Sequence, residues 1–135
     1  MDKKVMRNIS YGLFILTARD GDKLNGCVTN TLQQVTTSPN RISITVNKEN
    51  YTHDMVLKAG EFNVSILSED AKFDTFKHFG FQTGRDIDKF EDFPMVLAKN
   101  DIPYITDGTN GYISAKVIHS IALRRHTSFL ADVTD

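Results

Sequence analysis

Residues 26–47 read GCVTNTLQQVTTSPNRISITVN, and the way this stretch divides decides the fold. Its latter part, residues 41–47, alternates Ile42, Ile44 and Val46 with Ser43, Thr45 and Asn47, the period-two pattern of a strand with one buried face. Its first part mixes Val with Thr, Asn and Gln, which suits a strand by propensity but carries more side-chain hydrogen-bonding groups than a core strand uses. Just upstream, Asp20-Gly21-Asp22 supplies the positive φ angles of a tight hairpin turn. Residues 11–35 are therefore expected to form two strands joined at that turn, with a loop following around Pro39.

Working outward, residues 4–12 place Val5, Met6 and Ile9 at helical spacing before Gly12 interrupts them, which predicts a short amphipathic helix. THDMVLKAG, residues 52–60, predicts a second helix with Thr52 as N-cap, Asp54 in the first turn and Gly60 at the end. EFNVSIL at 61–67 returns to strand alternation. A further helix is expected over 68–80, capped by Ser68 and carrying Phe73, Phe76 and Phe79 on one stripe. Residues 81–94 read as a polar loop with aromatic anchors at Phe81, Phe90 and Phe93. Strands follow at 95–99, 102–106, 111–123 and 126–135, with a turn at DGTNG, residues 107–111. The sum is a mostly β chain with two or three short helices. Strands this closely spaced predict a barrel or closed sandwich.

Length and charge narrow the function. A chain of 135 residues fits one domain with a single core. Sixteen Lys plus Arg balance 17 Asp plus Glu, so no basic footprint points to nucleic acid or an anionic membrane surface. The one cysteine, Cys27, excludes an internal disulfide and a thiolate-rich metal site, and fits a reducing, cytoplasmic setting. The first ten residues lack the apolar run of a signal peptide, and no stretch reaches the roughly 20 apolar residues of a membrane helix. A soluble protein without a membrane or nucleic-acid partner is expected.

His53, His78, His119 and His126 share no metal-ligand spacing, and the serine-nucleophile and phosphate-loop motifs are missing. Two segments remain as candidate chemistry. Thr29, Asn30 and Thr31 add donors and acceptors to an extended backbone, which suits the polar rim of a flat heterocycle; the same residues suit a polar edge strand with no ligand. A helix beginning at Thr52 turns free N–H groups and a positive dipole end toward a phosphate, or serves as an ordinary cap beside an exposed His53. Arg85 and Lys89, in GRDIDKF, are free to meet a ligand phosphate if that loop is not merely a solvated charged one. Cys27 reads as a small packed hydrophobe and the Phe stripe as core.

Taken in order, GCVTNTLQQVTTSPNRISITVNKENYTHDMV, FGFQTGRDIDKF and HTSFLADV resemble the flavin reductase-like proteins, above all flavoredoxins and the flavin domain of high-molecular-weight rubredoxins. That resemblance covers nearly the whole chain. It implies an FMN-binding split β-barrel of Greek-key type and a homodimer with one flavin per subunit near the interface. Carried across by position, Thr29, Asn30 and Thr31 line the flavin ring and ribityl chain. Gln34, Val35 and Thr36 lie toward the phosphate, and Asn47, Lys48, Tyr51, Thr52 and His53 complete the site. His126 matches the histidine near the nicotinamide position of the family's reductases. The implied activity is electron transfer from NADH or NADPH through FMN to free flavin or a rubredoxin-like redox protein; the alternative is an electron carrier with little nicotinamide turnover. Two departures stand out: glutamines occupy positions 33 and 34, where many relatives have Ser or Thr, and the family domain usually continues past FLADVTD, so a single domain over 1–135 lacking its C-terminal segments is expected.

Overall fold

The computed structural model describes residues 2–80, 82–91 and 93–135. Among the described residues, nine strands and two α-helices follow a short 3-10 helix, Lys3–Asn8. In chain order they are β1 (Phe14–Asp20), β2 (Lys23–Thr29), β3 (Gln33–Thr37), β4 (Asn40–Asn47), α1 (Tyr51–Ala59), β5 (Glu61–Leu67), α2 (Phe73–Gly80), β6 (Val96–Leu97), β7 (Pro103–Tyr104), β8 (Thr109–Leu123) and β9 (His126–Val133). Seven strands form one antiparallel sheet in the order β2-β1-β5-β8-β9-β4-β3, and β6 and β7 pair separately. The chain is mostly β, as expected. Among the described residues no pairing joins β2 to β3, so the sheet has two free edges.

The Asp-Gly turn forms as read: β1 and β2 pair from Phe14↔Thr29 to Asp20↔Lys23, and Gly21 takes φ +58. The stretch after it divides differently from the expectation. The strand does not run to Val35 but stops at Thr29; residues 33–37, in part assigned to a loop, make β3. Thr31 causes the break, because its hydroxyl donates to the Thr45 carbonyl at 2.6 Å and turns the chain across to β4. β3 then pairs back on β4 through a turn with a cis Ser38-Pro39 bond, and every residue of β3 is exposed.

β4 is the alternating strand, with Ile42, Ile44 and Val46 buried. They pack with Leu16, Phe62, Val64, Phe129 and Ala131 of the sheet and with Met55 and Val56 of α1. Each fully buried side chain of this size contributes about 1.5–3 kcal/mol. A second cluster on the other face of β1 joins Ile15, Phe79, Phe90 and Ile105. β1 is covered on both faces, which is why Ile15, Leu16, Thr17 and Ala18 form an unbroken buried run.

The helices differ from the sequence expectation at their starts. Asn50, not Thr52, caps α1: its side chain accepts from the Thr52 amide at 3.0 Å, leaving Thr52 inside the first turn and fully buried. Gly60 ends α1 with φ +72, as read. α2 begins at Phe73, and the Ser68 hydroxyl serves a local turn by accepting from the Asp70 amide. Of the expected Phe stripe only Phe79 is buried, while Phe73 is 67% exposed. The N-terminal helix is 3-10 and buries none of its residues. The strands expected at 95–99 and 102–106 shrink to residue pairs. Phe90 and Phe93 anchor the loop after α2 as expected, and Phe81 lies outside the described residues. Among the described residues no helix is long and apolar enough to cross a membrane.

Candidate functional site

A cleft of about 140 Å³ opens between the end of β2, the turn leading into α1 and the loop after α2. Cys27 and Val28 supply one wall, Glu49, Asn50 and Tyr51 a second, and residues 82–84 with Lys89 close it. Lys89 is the unexpected member. It was read as a free loop cation, but it is only 2% exposed, and its ammonium donates to the Gly26 carbonyl at 2.7 Å and the Phe79 carbonyl at 2.9 Å. The aromatic anchors explain the inversion: Phe90, one residue on, is packed among Phe79 and Ile15, and His78 Nε2 donates to the Lys89 carbonyl, so the loop folds inward. Burial pushes the Lys89 pKa down, offset in part by Cys27. Burial likewise pushes the Cys27 thiol up, so Cys27 is a packed neutral side chain on the cleft wall.

Asn25, which the sequence reading passed over, lies directly behind the cleft. It is fully buried, its Nδ2 donates to Thr52 Oγ1 at 2.9 Å, and its Oδ1 has no partner among the described residues. Gly84 lies against the same amide so closely that a Cβ there would come within 2.2 Å of Oδ1. Only glycine lets the loop after α2 seat on β2. The QTG triplet at 82–84 was the available signal for that close approach.

Tyr51 forms the mouth of the cleft between two cations, Arg85 at 5.0 Å and Lys23 at 5.9 Å from the ring centroid. Arg85 is also paired with Asp54 at 2.8 Å. His53 lies inside, 4% exposed, with Nδ1 at 2.9 Å from Asp54 and Nε2 at 2.7 Å from Thr127 Oγ1. The Asp54 carboxyl is held below the usual range by its hydrogen bond to His53 and then by Arg85. Thr52 and His53 thus tie α1 to β2 and β9 from behind, while Tyr51 and Arg85 face the opening.

The other candidate residues fall into three further groups. Thr29 and Thr31 bond one another through their hydroxyls at 2.9 Å at the end of β2, with Asn30 exposed between them. Asn47 pairs with His126 across β4 and β9, and the Lys48 amide donates to the Arg125 carbonyl at 2.9 Å, so these residues share one corner. Gln34, Val35 and Thr36 stand apart on exposed β3. Gln34 bonds Asn40 at 3.1 Å and borders a separate apolar hollow with Phe14, Leu32 and Ile42, while Thr36 donates to the Pro39 carbonyl at 2.6 Å.

Known proteins place the chain in a family. Residues 6–135 match the model of the flavin reductase like domain. The chain is 36% identical over its full length to a high molecular weight rubredoxin of Moorella thermoacetica, and spans 59% of that protein. It is 33% identical over its full length to a ferric-chelate reductase (NAD(P)H) of Archaeoglobus fulgidus, covering 80% of it. Among solved structures, an NADH:FAD oxidoreductase of Streptomyces globisporus superposes with TM-score 0.87 at 23% identity, over 98% of this chain and 78% of that one. A flavoredoxin of Methanosarcina acetivorans gives 0.84 at 18% identity, over 95% and 70%. A seven-stranded sheet whose two end strands do not pair with each other and a match across all but the first five residues lead to one conclusion: this chain belongs to the flavin reductase-like domain family.

Proposed function

We propose that this chain is an FMN-binding oxidoreductase that takes electrons from NADH or NADPH and passes them to free flavin or a small redox protein. The buried ammonium of Lys89 carries the reading. Of its three N–H donors two are taken by backbone carbonyls, and among the described residues the third has no partner and remains for an acceptor in the cleft that Lys89 lines. A flavin ring, with carbonyl and ring-nitrogen acceptors on a flat apolar body, matches a wall of Cys27, Val28 and Tyr51 with one cation behind it. Thr29, Asn30 and Thr31 extend the polar edge from that wall, and Asn47 and His126 stand together at the next corner. Bound flavin supplies the hydride and single-electron chemistry, while the protein holds and orients it.

Ligand clefts run to about 300–1,000 Å³, so the 140 Å³ cleft seats only part of a flavin. A second copy covering the exposed rim completes the site, in keeping with a homodimer. The rubredoxin relative, of which this chain spans about three fifths, favours as a second reading an electron carrier served by a rubredoxin-like partner. His126 separates the two. Purified protein is expected to show flavin absorption bands, and anaerobic reduction by NADH or NADPH is expected to slow at least tenfold in His126→Ala while reduction by dithionite does not change. Equal rates in both proteins favour the carrier, and a colourless protein that takes up no added FMN defeats both readings.

A further inference from the structure

The tip of the β8–β9 hairpin is occupied by Arg124 and Arg125, and three observations set it apart. Both are exposed, and among the described residues neither makes an ion pair or side-chain hydrogen bond. Other arginines of the sheet and loops are engaged: Arg41 with Asp132 at 2.8 Å, Arg85 with Asp54, and Arg19 with the carbonyls of Gly21 and Asp101. Arg124 also takes φ +34, a conformation that tight hairpins ordinarily give to Asn or Gly. The turn keeps a long cation where local geometry prefers a small residue, the kind of departure expected at a functional position. Finally, the pair is joined to the candidate site: the Arg125 carbonyl accepts from the Lys48 amide, and His126 pairs with Asn47. Lys48 makes no ion pair among the described residues either.

We propose that Arg124 and Arg125 form an anion subsite for the phosphate groups of the electron-donating dinucleotide, taking its pyrophosphate or, in NADPH, its 2′-phosphate. The inference rests on the nicotinamide reading of His126 above. Planar guanidinium forks match phosphate oxygens two at a time, and a turn outside the core places two of them together without disturbing the sheet. Exposed charges of this kind act through screened attraction, so the subsite raises affinity and weakens with salt.

The test uses the full chain loaded with FMN and two probes lacking nicotinamide, ADP and 2′,5′-ADP, titrated by calorimetry. Wild type is expected to bind at least one, more weakly as salt is raised. Arg124→Gln and Arg125→Gln are each expected to weaken that binding about fivefold and the double variant more than tenfold, with flavin content unchanged. Arg124→Gly distinguishes function from packing: relief of the positive φ keeps or raises the melting temperature while probe affinity falls. The inference is overturned if wild type binds neither probe at millimolar concentration, if the double variant binds as wild type does, or if the arginines affect only electron exchange with an acidic redox protein. Probe binding that depends on the arginines, in a protein whose flavin neither NADH nor NADPH reduces, supports the subsite and refutes the nicotinamide reading alone.

Discussion

Lys89 and Lys48 both belong to the proposed site, yet one is buried against the sheet and the other sits in an open turn. Lys89 is held by two backbone carbonyls and packed against Phe79, whereas Lys48 contributes only its backbone amide to the neighbouring hairpin. The contrast extends to their surroundings. Around Lys89 stand Cys27, Asn25 and Thr52, all buried; around Lys48 stand Asn47, Arg124, Arg125 and His126, all exposed. The floor is assembled by folding itself, and its groups are held by hydrogen bonds within the chain. The rim is placed by strand register and waits for something to pair with. A site of this build takes its shape from the floor and its choice of partner from the rim.

Removing the Lys89 ammonium is expected to have the largest effect. Lys89→Met keeps most of the buried volume and removes the charge but strands the Gly26 and Phe79 carbonyls, so a stability cost of about 1–3 kcal/mol is expected while FMN affinity falls about ten- to hundredfold, or about 1.4–2.7 kcal/mol. Flavin titration and thermal melts at one pH separate the two. The sign of the pH dependence is also fixed: burial lowers the folded-state pKa, so the unfolded chain holds the proton longer. Wild-type stability therefore rises with pH from that lowered value to about 10.4, and the Met variant loses the rise. Unchanged flavin affinity in Lys89→Met would return this residue to a purely structural role.

Thr52 tests whether the floor is also the binding surface. The family resemblance implies a place for this threonine at the site, but its hydroxyl accepts from buried Asn25, whose Oδ1 already lacks a partner among the described residues. Thr52→Val strands both ends of that amide and is expected to cost about 1–3 kcal/mol of stability, with flavin affinity falling less than threefold. The reverse outcome, lost flavin with an unchanged melt, would move Thr52 from the floor to the ligand.

The fold was legible where pattern and local chemistry agree. Alternation placed β4, and Asp20-Gly21-Asp22 placed the first hairpin. Legibility failed where a tertiary contact decides. The Thr31 hydroxyl bonds across to Thr45 and ends β2 early, which no propensity for Thr announces. Asn50 and Thr52 are both good caps by type, and selecting Asn50 depends on Thr52 being drawn inward by Asn25. Lys89 sits among Asp86, Asp88 and Glu91 and reads as solvated; its burial follows from Phe90 beside it entering the core. Residue types of the site were thus readable one by one, while their division into floor and rim required the packing.

The smallest expected effect concerns the contact that joins the two regions. Asp54 receives His53 from inside and Arg85 from outside, so one carboxylate links buried α1 to the loop over the cleft. Its pKa is lowered chiefly by the His53 hydrogen bond and then by Arg85. A carboxyl whose folded-state pKa lies below the unfolded one contributes stability that is fully present above the unfolded value and lost as pH falls through the folded one. The side chain is 51% exposed, so solvent screening keeps the contribution near the 0.2–1 kcal/mol of surface ion pairs. Asp54→Asn is therefore expected to melt slightly below wild type at neutral pH and to converge with it only as pH falls below about 3.9 and through the lowered folded-state value of the wild-type carboxylate. Arg85, released from its partner, would still have the Tyr51 ring, so flavin affinity should hold within twofold. A difference in melting temperature that stayed constant with pH would assign the cost to packing, and a large loss of flavin would show that the rim is held from the floor through Asp54, erasing the division drawn here.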